Sequence, residues 1–499
     1  MHDYYVAPFF PRSVLPLVTA ALAALACTDS SDRGESPDGR AGAGGVGGGS
    51  SGLGGLDGTS AAGTPGSAGA PAAGSGASSP GAGGSGASSG AAGTGGASGS
   101  PAAGSSGAGT GGSAGGSGGA AGPVSWDTRT LSDRHFAEGA DVGDIDGDGV
   151  LDLVAGPHWY KGTDYSLGGT LLADPPAFTR DQYSNFFLTF VDDVNGDGRA
   201  DVIAVGDAGV AMNTVWYENP GPSALSQPWT RRTLFDRVSN ESPAHVNLVG
   251  DAERELVFMT NRQLGYATRG AAPTAAWAFT ALTASLFNTP FVHGLGVGDI
   301  DGDGLADIVE RGGWWRQVAG TSWERRAVDF AAGADKSSYS NWGGAQMQVF
   351  DIDGDGDNDV ASALAAHQYG LSWFEQQRTG SDITFTPHAI LPAAPAAGNI
   401  SQLHALVAAD MNGDGLTDLV AGKRYYAHPS TNPDPGTTDP AVLAWFELER
   451  DASGARFVQH VIHTNSGAGC NFVVRDLNRD GKVDVFTTNK RGTFLHLQR

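Results

Sequence analysis

The chain has 499 residues, 77 of them glycine, and a formal net charge of −24. Nucleic acid and acidic membrane surfaces repel such a charge, and 30 Lys and Arg leave little for a hidden basic patch, so a nonspecific polyanion binder is excluded. Two cysteines, Cys27 and Cys470, stand on opposite sides of a long glycine-rich tract and exclude a disulfide framework.

In chain order, the first element is an export signal. Arg12 precedes an apolar run from Val14 to Ala26, too short to span a bilayer stably but suited to the apolar region of a signal peptide. The run ends in Ala-Leu-Ala-Cys, like a bacterial lipoprotein signal, with Ala24 where that pattern prefers Leu. Cys27 is therefore the expected lipidation site, and plain secretion after cleavage near Ala26 is the alternative. Residues 28–123 follow as a disordered linker. From Arg40 to Gly122 the composition is almost wholly Gly, Ala, Ser, Thr and Pro, with Asp57 the only charge after Arg40. Such a segment buries too little apolar surface to offset the entropy of ordering it. As a coil it would span about 50 Å and hold a domain away from a membrane. The expected protein is exported from a bacterium and monomeric. It is lipid-anchored at the outer surface or periplasmic side, or else secreted.

The third element, residues 124–499, is a repeat. Asp-x-Asp/Asn-x-Asp-Gly-x-x-Asp recurs as DIDGDGVLD at Asp144, DVNGDGRAD at Asp193, DIDGDGLAD at Asp299, DIDGDGDND at Asp351, DMNGDGLTD at Asp410 and DLNRDGKVD at Asp476. A decayed copy, NLVGDAERE, begins at Asn247. A period of about fifty residues marks a propeller, solenoid or array. Each motif is flanked by four short β-type runs, as in Val202-Ile-Ala-Val, Val215-Trp-Tyr-Glu and Trp229-Thr-Arg-Arg-Thr-Leu after the second copy. The spacing predicts an all-β, seven-bladed β-propeller with four-stranded blades. The last repeat lacks a fourth strand, and Trp126-Asp-Thr-Arg-Thr-Leu is a fourth strand with no blade before it. The first segment is thus expected to complete the last blade and remove an open edge.

Alternate oxygens in a tight loop converge on a hard cation, and Gly at the sixth position allows the turn. The expected calcium ligands are Asp144, Asp146, Asp148 and Asp152; Asp193, Asn195, Asp197 and Asp201; Asp299, Asp301, Asp303 and Asp307; Asp351, Asp353, Asp355 and Asp359; Asp410, Asn412, Asp414 and Asp418; and Asp476, Asn478, Asp480 and Asp484. Six ions would cancel half of the formal charge. The third copy is expected to bind none, because Val249 replaces a ligand and Ala252 the turn glycine.

These residues resemble the FG-GAP/VCBS repeat family, whose relatives include the integrin α-chain propeller. The resemblance implies a calcium loop between the first two strands of most blades, but not one function. The aromatic runs His158-Trp-Tyr, Trp216-Tyr-Glu-Asn-Pro and Gly312-Gly-Trp-Trp also resemble the propeller part of aldos-2-ulose dehydratase-type proteins.

The calcium loops all fall on one face of such a ring. The connections entering strand one and leaving strand two fall on the other, and there the repeat consensus breaks down. Candidate ligand residues on that face are His158, Glu241, His293, Arg311, His367, His404, Lys423 and Arg424. Glu241, His293, His404 and Cys470 also form a possible metal set, and a Pro-rich excursion from Tyr425 to Pro440 joins the same face. No nucleophilic triad, phosphate loop or zinc motif is present, so the first expectation is a calcium-binding surface or secreted module for an extracellular protein or polysaccharide. The second is a carbohydrate-active lyase or dehydratase working at the mouth, on a sugar or uronide. The third is a purely structural surface protein. A flat, exposed mouth would favour binding, whereas a His with a Tyr or Lys at one cavity would favour an enzyme.

Overall fold

The computed structural model describes residues 124–207, 213–286, 292–318, 322–334, 336, 343–428, 430–431 and 433–499. The export signal, Cys27 and the linker of residues 28–123 lie outside them.

The described residues form seven antiparallel sheets of four strands each, with no helix. Blade 1 runs through Ala140–Gly143, Asp152–Ala155, His158–Tyr160 and Leu167–Thr170. Blades 2 to 6 open on Leu188–Asp192, Ala244–Val246, Leu295–Gly298, Gln348–Phe350 and Leu403–Ala409. Blade 7 consists of Val473–Arg475, Asp484–Asn489, Gly492–Gln498 and, outermost, Trp126–Ser132 from the other end of the domain. That closing pair is antiparallel, with Trp126 opposite Gln498 and Thr130 opposite Phe494. Closure leaves no blade with an unfinished edge.

The burial gradient across a blade explains its sequence. Second strands are covered on both faces, so Glu255–Thr260, Asp418–Lys423 and Asp484–Asn489 are buried throughout. Fourth strands face solvent, and Ser322–Ala327 is mostly exposed. The core lies between neighbouring blades: Val154 and Trp159 of blade 1 pack with Val202, Ala204 and Tyr217 of blade 2. Trp216, Trp373 and Trp445 are likewise buried there rather than displayed for stacking on a ligand.

First strands line the axis. Parallel bridges link adjacent blades, Gly139 to Asn471, Asn240 to Val292 and Leu295 to Gln346. Asn471 ties blades 7, 1 and 2 together, its Nδ2 donating to the carbonyls of Ala140 and Thr189 over 2.9 Å each. Gly139 must be glycine, because a Cβ there would fall 2.3 Å from Asn471 Oδ1 and 2.5 Å from the Leu188 backbone.

Candidate functional site: an axial histidine centre opposite the acidic loops

On one face sit the acidic loops. Their fourth and sixth residues take positive φ, as at Gly147 and Gly149 (77° and 83°), with Arg479 (61°) in the fourth place of the last loop. The third loop keeps Gly250 at 80° but has Ala252 where the second left-handed residue belongs. Oxygens of Asp144, Asp146 and Asp152 lie within 4.8 Å of one another, as do those of Asp299, Asp301 and Asp303, and of Asp351, Asp353 and Asp355.

The ninth-position aspartates also brace the blade. Asp152 Oδ2 accepts the amide of Ile145 over 2.9 Å, and Oδ1 accepts that of Gly162 over 2.8 Å. Asp201, Asp307, Asp359, Asp418 and Asp484 repeat this link from loop to third strand. Burial, with the loop carboxylates adding to it, pushes Asp201, Asp307, Asp359 and Asp418 up to about 7.

On the opposite face, side chains from separate blades meet at the axis. His293 stands two residues before the first strand of blade 4, His367 lies in the turn after the second strand of blade 5, and His404 lies in the first strand of blade 6. Each is 1% exposed. The ring centroids stand 5.0, 5.2 and 4.8 Å apart, and one ring nitrogen of each lies within 4.8 Å of the others. His404 reaches this point because the strand register slips between Leu403 and Leu406 and Gln402 adopts a left-handed φ of 60°.

The outer nitrogens are held in a way that fixes the inner ones. His404 Nδ1 lies 3.3 Å from the Gln402 carbonyl, and His367 Nδ1 lies 3.3 Å from Asp434 Oδ2. With Nδ1 donating, Nε2 keeps its lone pair, and neither Nε2 has a hydrogen-bond partner among the described residues. Burial lowers His367 to about 4 despite Asp434, and lowers His404 well below its usual value, with Arg424 adding to the effect. Neutral imidazole is the form that ligates a metal.

Two carboxylates and one guanidinium back the histidines. Glu241 Oε2 is 3.4 Å from His293 Nε2, 3.9 Å from His404 Nε2 and 3.0 Å from Arg424 Nη1. Arg424 Nη2 reaches Glu138 Oε2 at 2.9 Å. Burial alone would push Glu241 up, but His293, when it carries a proton, and Arg424 outweigh it and hold the carboxyl at about 2. Beside this network, His428 stacks on His367 at 4.2 Å and 16°. Its Nδ1 lies 2.7 Å from Asp434 Oδ1. Both stacked rings turn Nδ1 to one carboxylate, so their Nε2 atoms point the same way, and His428 Nε2 is also unpartnered.

Of the residues singled out in the sequence, Glu241, His293, His367, His404 and Arg424 come together. Arg311 is buried beside Gly294 and Gly343, next to His293. Lys423 is a brace: its Nζ donates to Ser401 Oγ over 2.9 Å and to the Gly436 carbonyl, pinning the Tyr425–Pro440 excursion. His158 stays apart, packed on Phe136 at 4.3 Å. Cys470 packs on the apolar cluster of Phe187, Leu188 and Phe258 and beside Arg424, but it is not among the groups whose ligand atoms meet, and His367 completes the trio instead. Sequence reasoning missed His428 and Asp434. The signal available was a His and an Asp inside an excursion that no other blade has. A hollow of about 230 Å³ lined by Asn195, Glu253, Arg269 and Trp277 lies on the acidic-loop side, away from the histidines.

Fold and site define a seven-bladed β-propeller with acidic loops on one face and a polar axial centre on the other. The FG-GAP-like repeat family matches residues 351–421, from the acidic loop of blade 5 into the second strand of blade 6, so the propeller carries an FG-GAP-like repeat. No curated protein matches the chain. Similar solved structures include a lectin from Agrocybe aegerita that recognises non-reducing terminal N-acetylglucosamine, at 15% identity and a TM-score of 0.39, over 72% of this chain and 84% of that one. A rhamnogalacturonan lyase from Bacillus licheniformis aligns at 15% identity and 0.34, over 74% and 75%. AofleA from Arthrobotrys oligospora aligns at 9% identity and 0.35, over 75% and 86%.

Proposed function

We propose that this is an exported propeller, held by calcium in six acidic loops, whose axial mouth is a transition-metal centre acting on a carbohydrate by elimination, as a lyase or dehydratase does. One observation carries the reading: three buried histidines from blades 4, 5 and 6 converge with unpartnered nitrogens beside a His428–Asp434 pair.

The donor set fits zinc or a similar divalent ion, for which three protein ligands and one open position are typical of reactive rather than structural sites. His293, His367 and His404 would hold it, and the ion would supply Lewis acidity toward a sugar carbonyl or hydroxyl. Gln402 and Asp434 orient the ligating rings. Glu241, anchored by Arg424, places a negative charge beside them. His428 is the proton-transfer group: Asp434 fixes its Nδ1 proton, which leaves Nε2 to take a proton from carbon or give one to a departing hydroxyl.

Binding without turnover, the first expectation from sequence, is the second reading, and the burial of the histidines, 1% exposed, favours a centre that holds an ion over one that only meets a partner's surface. The test is an assay of the protein, stripped and reloaded with zinc, cobalt or manganese, on a panel of sugars, keto sugars and uronides. Unsaturated product is expected from the metal-loaded protein, with His428→Asn losing turnover but retaining metal. Metal-dependent binding with no product in any arm would return the mouth to a binding role.

A further inference from the structure

The mouth of this strongly acidic chain is edged by cations whose hydrogen-bonding capacity is unfilled. Lys490 and Arg491 occupy the turn between Asp484–Asn489 and Gly492–Gln498 of blade 7, on the face that also bears Arg424 and the histidines. Lys490 is 6% exposed. Its Nζ sits 4.3 Å above the Tyr183 ring and has no hydrogen-bond partner among the described residues. Arg491 stands 5.1 Å above the Tyr425 ring, with a buried Nε that is also unpartnered. An aromatic face offsets only part of the cost of burying an ammonium.

The nearby carboxylates are already engaged. Glu138, whose charge also faces Lys490, holds Arg424 together with Glu241, Asp434 bridges His367 and His428, and Asp181 accepts the Ser430 amide over 2.8 Å, while Lys490 Nζ itself donates no hydrogen bond to any of them. That last bond also joins the blade 1–2 connection to the blade 6 excursion, and Arg180 above the Tyr426 ring at 4.5 Å reinforces the link. Lys490 lies close enough to Arg424 to feel its charge, and Tyr425 under Arg491 begins the excursion that carries His428 and Asp434, so both cations stand beside the segments that hold the histidines.

We infer that the ligand of this mouth is an anionic sugar, whose carboxylate or sulfate group is received by Lys490 Nζ and Arg491. Both groups present paired or tripled oxygen acceptors of one negative charge, which suits an ammonium and a guanidinium on neighbouring residues of one turn. Tyr183 and Tyr425 carry the two cations on their ring faces. The inference rests on the reading of the mouth as the functional site, but not on the histidine metal, because Lys490 and Arg491 belong to neither the trio nor its supports.

The experiment is calorimetric titration of metal-loaded protein with three probes: methyl galacturonoside, its methyl ester, and methyl galactoside 6-sulfate. At least one anionic probe is expected to bind at least about tenfold tighter than the ester, and the pair of anions tells carboxylate from sulfate. Lys490→Met, which keeps the aliphatic stem, is expected to erase that preference without changing metal content. If Lys490→Met does not fold, Arg491→Gln decides by the same measure. Equal affinity for ester and acid, no binding of any probe, or a preference that survives the substitution would overturn the inference. A preserved anion preference in protein that takes up no transition metal would sink the proposed metal centre and leave this inference standing.

Discussion

Arg424 Nη1 lies 3.0 Å from Glu241 Oε2, a contact between blades 6 and 3 across the axis with both partners buried. The same guanidinium holds Glu138 of the segment entering blade 1. Removing it would strand two buried carboxylates, and breaking a buried pair typically costs about 3–5 kcal/mol. Arg424→Leu is therefore expected to lower the melting temperature sharply, and Arg424→Leu with Glu138→Gln and Glu241→Gln to recover part of the loss. A single substitution that melts like the wild type would show that the network carries no stability.

Closure by the first strand is a second expectation. Residues Trp126–Ser132 cover Gly492–Gln498. A protein beginning at Arg134 would expose that edge and remove Trp126, which packs on the cluster of Trp445, Phe472 and Val485. The truncated domain is expected to lose at least about 3 kcal/mol, read from denaturant unfolding. Unchanged stability would mean that the seam contributes little.

The acidic loops are expected to differ in calcium affinity. Each gathers several carboxylates that repel one another without a cation. In blade 4, however, Arg316 of the third strand Gly313–Val318 ion-pairs with Asp301 and lies 2.9 Å from Asp303. At the matching register in blade 6, Glu447 lies 3.0 Å from Asn412 Nδ2 instead. Chelation is expected to lower the melting temperature of the whole domain by mass action. Arg316→Ala is expected to strengthen or add one calcium site in a titration. A melting curve indifferent to excess chelator would refute calcium in the loops.

How much of this was legible follows from where information lies in a repeat. Blade number and closure were readable because the nine-residue motif marks every second strand, and Trp126-Asp-Thr-Arg-Thr-Leu copies the fourth strands. Most of the axial centre was readable because Glu241, His293 and His404 hold equivalent places before their motifs, and His367 and Arg424 follow second strands on the same face. Their convergence was not, since it depends on ring geometry and on the slip around Gln402. Cys470 occupies the same place as His293 and His404 in the repeat, yet its side chain packs on an apolar cluster that no spacing reveals. The His428–Asp434 pair lies in an excursion without a counterpart, so comparison between blades gave no reason to single it out.

The closing seam is expected to weaken in acid. Thr128 Oγ1 and His496 Nδ1 are 2.9 Å apart across it, and burial, with His463 adding, lowers the His496 imidazole to about 3. A histidine with a depressed folded value contributes stability that is complete above its unfolded value of about 6.5 and is lost as pH falls below it toward the folded value. Wild-type stability is thus expected to fall between those limits, and His496→Gln to fall less steeply over the same range. Parallel slopes in the two proteins would remove His496 as a cause.

The central claim is that His293, His367 and His404 hold a transition metal independently of the acidic loops. The most direct measurement is metal content by elemental analysis after dialysis against zinc with excess calcium, in the wild type, His367→Ala and Asp351→Ala. A single equivalent of zinc is expected in the wild type and in Asp351→Ala, and none in His367→Ala. Equal zinc in all three proteins, or none in the wild type, would contradict the account.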